Sequence, residues 1–191
     1  MCTGLFKTID SLAESRSSHG ATRVFLGLGG NVGDVRLAFA AVVHQARLDF
    51  AAVRLSPIFS TSPVGGPPQP AFLNAAMELR TYWPPVRVLA WCQRQERRLG
   101  RDRSSGVRNG PRPIDVDLLL YGELTMERPE LEIPHPRMGD RAFVMLPLRA
   151  LAPDLVIPRL GRVRDLAGRP FPGQQVRLLA AQELAHVSLE D

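Results

Sequence analysis

The run Arg112-Pro113-Ile114-Asp115-Val116-Asp117-Leu118-Leu119-Leu120 holds the residues best suited to do chemistry. Alternate side chains of a strand share a face, so Asp115 and Asp117 project together, about 6 to 7 Å apart, while Ile114, Val116 and Leu118 turn into a core. Two carboxylates left unpaired in a half-buried cleft repel and raise each other's pKa, so positive charge must lie between them. Their oxygens are hard ligands, and a carboxylate pair completed by substrate phosphates is the usual way to hold Mg²⁺, here with two ions expected. The alternative for a D-x-D pair by itself is ion pairing with arginines on an exposed strand face.

Arginines stand immediately upstream. Arg94, Arg97, Arg98, Arg101, Arg103, Arg108 and Arg112 are set against only Glu96 and Asp102. Lys7 is the sole lysine, so a Schiff-base or P-loop lysine has no source outside the N-terminal segment. Guanidinium forks suit phosphate oxygens, and three or four contacts of about 1.5 to 3 kcal/mol each hold a triphosphate whose remaining charge Mg²⁺ neutralises. An RNA-binding sheet is the rival reading of the cluster. It needs aromatic residues interleaved with basic ones on a strand, and only 6% of residues are aromatic.

Gly27-Leu28-Gly29-Gly30-Asn31-Val32-Gly33 superficially resembles a dinucleotide fingerprint, but Val32 stands at the third-glycine position. Asp49 precedes the second strand instead of ending it, where a ribose-binding acid belongs. The glycines read better as a tight strand-to-helix turn, from which Asn31 can still point into a pocket.

The elements that must position these groups follow from periodicity. Arg23 to Leu28 is a β-branched and aromatic strand, and Asp34 caps a helix whose Val35, Ala38, Phe39, Val42, Val43 and Ala46 form an apolar stripe. Ala51 to Ser60 reads as a second strand. Residues 61–70, with four prolines and two glycines, form a loop. Phe72 to Thr81 reads as a third strand, and Pro84-Pro85 opens a helix with Leu89, Cys92, Glu96 and Leu99 on one face, ended by Gly100. Pro113 to Tyr121 is the fourth strand, and Asp140 to Leu151 is helical with an interruption at Pro147. The order β, α, β, β, α, β is that of the ferredoxin-like α/β sandwich, with a mainly antiparallel sheet.

At 191 residues, 45% hydrophobic and 23% charged, with net charge +5, the chain suits one domain with one core. The expected division is a mobile extension over 1–21, with one helical turn near Leu12, a catalytic domain over 22–160 and a further extension over 161–191. No apolar run approaches a membrane span, and the first twenty residues lack an export signal, so a cytoplasmic protein is expected. Cys2 and Cys92 lie too far apart to suggest zinc or a disulfide frame.

Assembled in order, these segments resemble the 6-hydroxymethyl-7,8-dihydropterin pyrophosphokinases of folate synthesis. The resemblance runs from about Arg23 to Pro158 and rests on Leu28-Gly29-Gly30-Asn31-Val32-Gly33-Asp34, Ser60-Thr61-Ser62-Pro63-Val64-Gly65, Gln69-Pro70-Ala71-Phe72-Leu73-Asn74-Ala75 and Leu99-Gly100-Arg101. Arg108 to Asp117, then Ile133-Pro134-His135-Pro136 with Arg141-Ala142-Phe143, complete it. It implies diphosphate transfer from ATP, as co-substrate, to the pterin hydroxymethyl group with release of AMP. Asp115 and Asp117 would hold two Mg²⁺ ions, and Arg101 and Arg112 would stabilise the moving diphosphate. Gln93, Arg103, Arg112, Leu118, His135 and Arg141 would bind ATP. Thr61, Pro63, Val64, Phe72, Asn74 and Phe143 would bind the pterin, the two phenylalanines by stacking and Asn74 at the polar edge. The implied partners are small-molecule substrates, without nucleic acid or membrane, for a monomer or weak homodimer. The chain departs from the family in Asn109, where many bacterial members carry Trp on a closing loop, in Gly30 for the more usual Ser and in Phe72 for Tyr. A relative that binds nucleotide without turnover therefore remains an alternative.

Overall fold

A computed structural model describes residues 20–102 and 110–180. The expected extension over 1–21 lies almost wholly outside the described residues, as do Arg103, Arg108 and Asn109. Strand β1 (Thr22–Gly30) is followed by helix α1 (Val35–Asp49), β2 (Ala51–Leu55), β3 (Phe59–Thr61), β4 (Phe72–Thr81), α2 (Pro85–Arg98) and β5 (Asp115–Tyr121). A hairpin of β6 (Met126–Arg128) and β7 (Leu131–Ile133) leads through a 3₁₀ turn to α3 (Ala142–Leu151). The two-residue pair β8 (Val156–Ile157) and β9 (Gly161–Arg162), the short α4 (Val163–Leu166) and β10 (Val176–Leu178) complete the order.

The main sheet runs β10-β3-β4-β1-β5, with β2 also on β4, and all its pairings are antiparallel. This is the ferredoxin-like arrangement, with β4 and β1 central. Alternation assigns the faces. Val24, Leu26 and Leu28 with Met77, Leu79, Val116 and Leu118 pack under α1 and α2, where Phe39, Val42, Trp91 and Cys92 are buried. Asp34 caps α1 by accepting from the Leu37 N–H at 3.0 Å, as its position suggested.

The opposite face is also covered. Phe25, Ala76, Leu119 and Leu120 pack against Val144, Met145, Leu148 and Leu151 of α3, with Val163 and Leu166 of α4 beyond. The sandwich thus has a third layer. Helix α3 runs through Pro147 without the expected interruption.

Two expectations change. The strand expected over Ala51 to Ser60 is two strands, because Pro57 at the break has no N–H to give; Ala52, at φ 53°, bulges within the first of them. At the break Ser56 Oγ accepts the Ala76 N–H at 2.9 Å, replacing a ladder bond. Residues 161–180, set apart as an extension by the sequence, are woven into the fold: β10 pairs with β3, and the Leu179 N–H bonds the Ile58 carbonyl at 3.0 Å.

Candidate active site

The site forms where β1, β4 and β5 run side by side and the α3 layer stops short. β5 presents Asp115 and Asp117 on the face it shares with Gly27 and Gly29 of β1 and Asn74 and Ala76 of β4. Those glycines leave room. With Arg112 before β5 and Phe143 from α3, these residues line a narrow cleft with a small floor of about 30 Å³.

Arginine charge meets Asp115 from two sides. Asp115 is ion-paired with Arg101 and also with Arg112, whose Nε stands 3.0 Å from Asp115 Oδ2. Burial pushes the Asp115 carboxyl upward, but Arg101 and Arg112 outweigh it and hold the group below the usual carboxylate range. The Arg112 Nε is buried without an aligned hydrogen-bond acceptor. A phosphate oxygen is the kind of group that would satisfy it.

The turn after β1 holds Arg112 in place. The Asn31 N–H donates to the Arg112 carbonyl at 2.9 Å, and Asn31 Oδ1 accepts the Arg112 N–H at 2.9 Å. Asn31 Nδ2 reaches the Gln69 side chain at 3.0 Å and the Pro70 carbonyl at 3.1 Å. Asn31 therefore joins three segments and does not open into the cleft. Gly30 makes the approach possible: a Cβ there would lie 2.5 Å from the Pro113 carbonyl oxygen.

The remaining expected ligands divide. Asn74, 6% exposed, donates from Nδ2 to Thr61 Oγ1 at 2.9 Å, so Thr61 orients it. Phe143 lines the cleft, with the Arg141 guanidinium 5.6 Å from its ring centre. Phe72 is different: its ring lies beneath Arg112 at 4.7 Å and does not line the cleft floor. Pro63 and Val64 stand on the Pro-rich loop, Val64 exposed, away from the floor. Gln93 is half-buried on α2. Leu118 packs its side chain in the core on the far side of the sheet, so any nucleotide contact at that position is limited to its backbone.

His135 follows the β7 strand through a cis Ile133-Pro134 bond, and its N–H binds the Leu119 carbonyl at 2.9 Å. Burial, then the charge of Arg141, lowers the His135 pKa. Arg141 is itself lowered by burial and by Arg137, while Asp117 and Asp115 act the other way. The positive rim thus faces the paired aspartates.

The roles of three residues escaped the sequence reading. Asn31, expected only as a side chain free to point into a pocket, ties three segments together instead. Glu96, taken only as part of a helix face, is 1% exposed and receives the Arg101 guanidinium at 2.7 Å. A carboxylate on an apolar stripe was the available signal, since a buried charge needs a partner. Gln174 accepts the Ala142 N–H at 2.9 Å and donates to the Asp140 carbonyl at 2.8 Å, bracing the start of α3. Nothing in its neighbourhood announced that.

The donor set fits a divalent cation. Asp115 and Asp117 offer hard oxygens on one face, and among the described residues no group of three or more His, Cys, Asp and Glu stands ready to hold a metal alone. Phosphate oxygens of a substrate would complete such a site, the manner in which Mg²⁺ is commonly bound. Among the described residues no helix is long and apolar enough to cross a membrane.

Known proteins resemble this chain over most of its length. The family model "7,8-dihydro-6-hydroxymethylpterin-pyrophosphokinase (HPPK)" matches residues 25–153. The 2-amino-4-hydroxy-6-hydroxymethyldihydropteridine pyrophosphokinase of Pseudomonas aeruginosa is 38% identical over 154 residues, covering 79% of this chain and 94% of that protein. The like-named Methylorubrum extorquens protein is 41% identical over 138 residues, 71% of this chain and 86% of its own. The Schizosaccharomyces pombe folic acid synthesis protein fol1 is 33% identical over 177 residues, 89% of this chain but only 24% of its own length. Wild-type Plasmodium falciparum HPPK-DHPS superposes with a TM-score of 0.60 at 14% identity, over 80% of this chain and 42% of that one, a likeness of fold. The chain belongs to the 7,8-dihydro-6-hydroxymethylpterin-pyrophosphokinase family.

Proposed function

We propose that the chain transfers diphosphate from ATP to the hydroxymethyl group of 6-hydroxymethyl-7,8-dihydropterin and releases AMP. The observation that carries the reading is one cleft shared by two kinds of recognition: Asp115, Asp117 and Arg112 for phosphate, and Asn74 with Phe143 for a flat, polar-edged ring. An amide donates and accepts along a lactam edge, and an aromatic face stacks on a heterocycle.

In the reaction the pterin oxygen bonds to the β-phosphorus. The bond from that phosphorus to the α,β-bridging oxygen breaks, and AMP leaves with that oxygen. The hydroxyl proton passes to solvent. Two Mg²⁺ ions held by Asp115, Asp117 and phosphate oxygens would neutralise charge on the triphosphate. Arriving phosphates give Arg101 and Arg112 new acceptors, so Asp115 can exchange its arginines for a cation. Arg112 then turns its unaligned Nε–H to the moving diphosphate, and Arg101 shares that charge. Arg141, Arg103 and neutral His135 line the nucleotide, with Gln93 and the backbone at Leu118. Thr61 orients Asn74. Pro63 and Val64, on a loop tied to Asn31, border the pterin, and Phe72 meets it only if Arg112 moves off its ring. The same reading has the enzyme act in the cytoplasm on small molecules, as a monomer or weak homodimer.

AMP release by purified protein, with and without the pterin and with Mg²⁺ present or chelated, tests the proposal. AMP that requires both supports it, and ADP in its place overturns it. Asp117→Ala should lower turnover about a hundredfold or more. Near-normal turnover of that variant would refute the metal assignment.

A further inference from the structure

We infer that Glu96 is a positioning residue for this reaction, holding the Arg101 guanidinium aimed into the cleft whether or not Asp115 is bound to it. The inference rests on the function proposed above.

Glu96 is buried at the last turn of α2, yet its contacts lead outward. Its Oε1 accepts from Arg101 Nη1 at 2.7 Å and from the Val116 N–H at 2.9 Å, the residue between the two aspartates. Its carbonyl oxygen accepts the Arg101 N–H at 3.0 Å. Glu96 therefore grips Arg101 by main chain and side chain at once, across the left-handed turn at Gly100, where φ is +83°. Arg101 Nη1 also lies 3.3 Å from the Ile114 carbonyl. The arginine is thus braced on its α2 side by groups that no substrate can reach.

Asp115 is the partner that changes. If it turns to a cation, Arg101 loses one anionic contact but keeps Glu96, so the guanidinium need not search for its place as the phosphates arrive. Preorganised charge is worth more than charge that must reorient, and a misplacement of about 1 Å can cost about a hundredfold in rate. A buried carboxylate serving only the fold would need the Val116 N–H and some counter-charge. The direction of its bonds, toward an arginine that also touches Asp115, favours the positioning role.

Glu96→Gln keeps an oxygen for the Val116 N–H and replaces the carboxyl that receives Arg101 with an amide. Turnover should fall about 10- to 100-fold, with KM for both substrates within about threefold of wild type. In an Arg101→Ala background the same change should cost less than about twofold further. Full multiplication of the two effects would overturn the role. Glu96→Asp, which withdraws the carboxyl by one methylene, should reproduce the pattern, and it serves if the Gln variant does not fold. A readout independent of turnover is the NMR signal of the Arg101 guanidinium in unliganded protein: slow rotation in wild type and fast rotation in Glu96→Gln is expected, and an unchanged signal refutes the inference. Absence of AMP formation by wild type would count against the proposed function and leave the guanidinium measurement to decide on Glu96.

Discussion

Asn31 and Arg112 exchange a reciprocal pair of hydrogen bonds, main-chain N–H to carbonyl one way and main-chain N–H to side-chain oxygen the other, each 2.9 Å long. An arginine assigned to phosphate is thereby docked by its backbone to the turn after β1, leaving its side chain to work. Asn31→Ala removes this bond and the two to Gln69 and Pro70. A loss of about 1 to 3 kcal/mol in stability is expected, with kcat/KM down about tenfold or more. Thermal melts and steady-state AMP assays check both.

At Gly30 the Pro113 carbonyl occupies the space a side chain would need. Gly30→Ser should destabilise by about 1 to 3 kcal/mol. A Tm equal to wild type would mean that β1 and Pro113 separate at little cost.

His135 gives a pH dependence whose sign follows from its environment. Burial, then Arg141, lowers its pKa in the folded chain, whereas unfolded it titrates near about 6.5. Between those values the unfolded chain holds more protons, so stability falls as pH drops below about 6.5 toward the folded value. Comparing Tm at pH 7.5 and 5.5 should show a smaller acid loss in His135→Gln than in wild type. Equal losses would argue against a half-buried, neutral ring.

Gln174 brackets the turn that delivers Arg141 and Phe143. Gln174→Ala should cost about 0.5 to 2 kcal/mol, as loss of a helix cap does, and raise KM for ATP severalfold. Unchanged kinetics would confine its role to the fold.

How far the sequence could be read depended on the distance between partners. Strand Phe72–Thr81 and the common face of Asp115 and Asp117 follow from alternation, and the buried stripe of α1 from a 3.6-residue period, so each was legible in its own segment. The bonds of Asn31 reach 38, 39 and 81 residues along the chain, and that from Gln174 to Ala142 spans 32. Local patterns do not encode such pairings. The break at Ser56-Pro57 was visible as a proline but not as two strands, because the compensating bond from Ala76 comes from across the sheet. Strand β10 is three residues long, and only the exposed edge of β3 makes it a strand.

That edge has a consequence of its own. Val176, Arg177 and Leu178 lie opposite Thr61, Ser60 and Phe59 much as an extended peptide lies on a receptor, and the Ser62 N–H adds a bond to the Gln175 carbonyl at 3.1 Å. The chain thus carries its own strand-shaped ligand, tethered at high effective concentration beside the loop that begins at Ser62. Cut free of it, the edge should accept the same peptide supplied in trans, so that a severed protein could be complemented by its own missing piece.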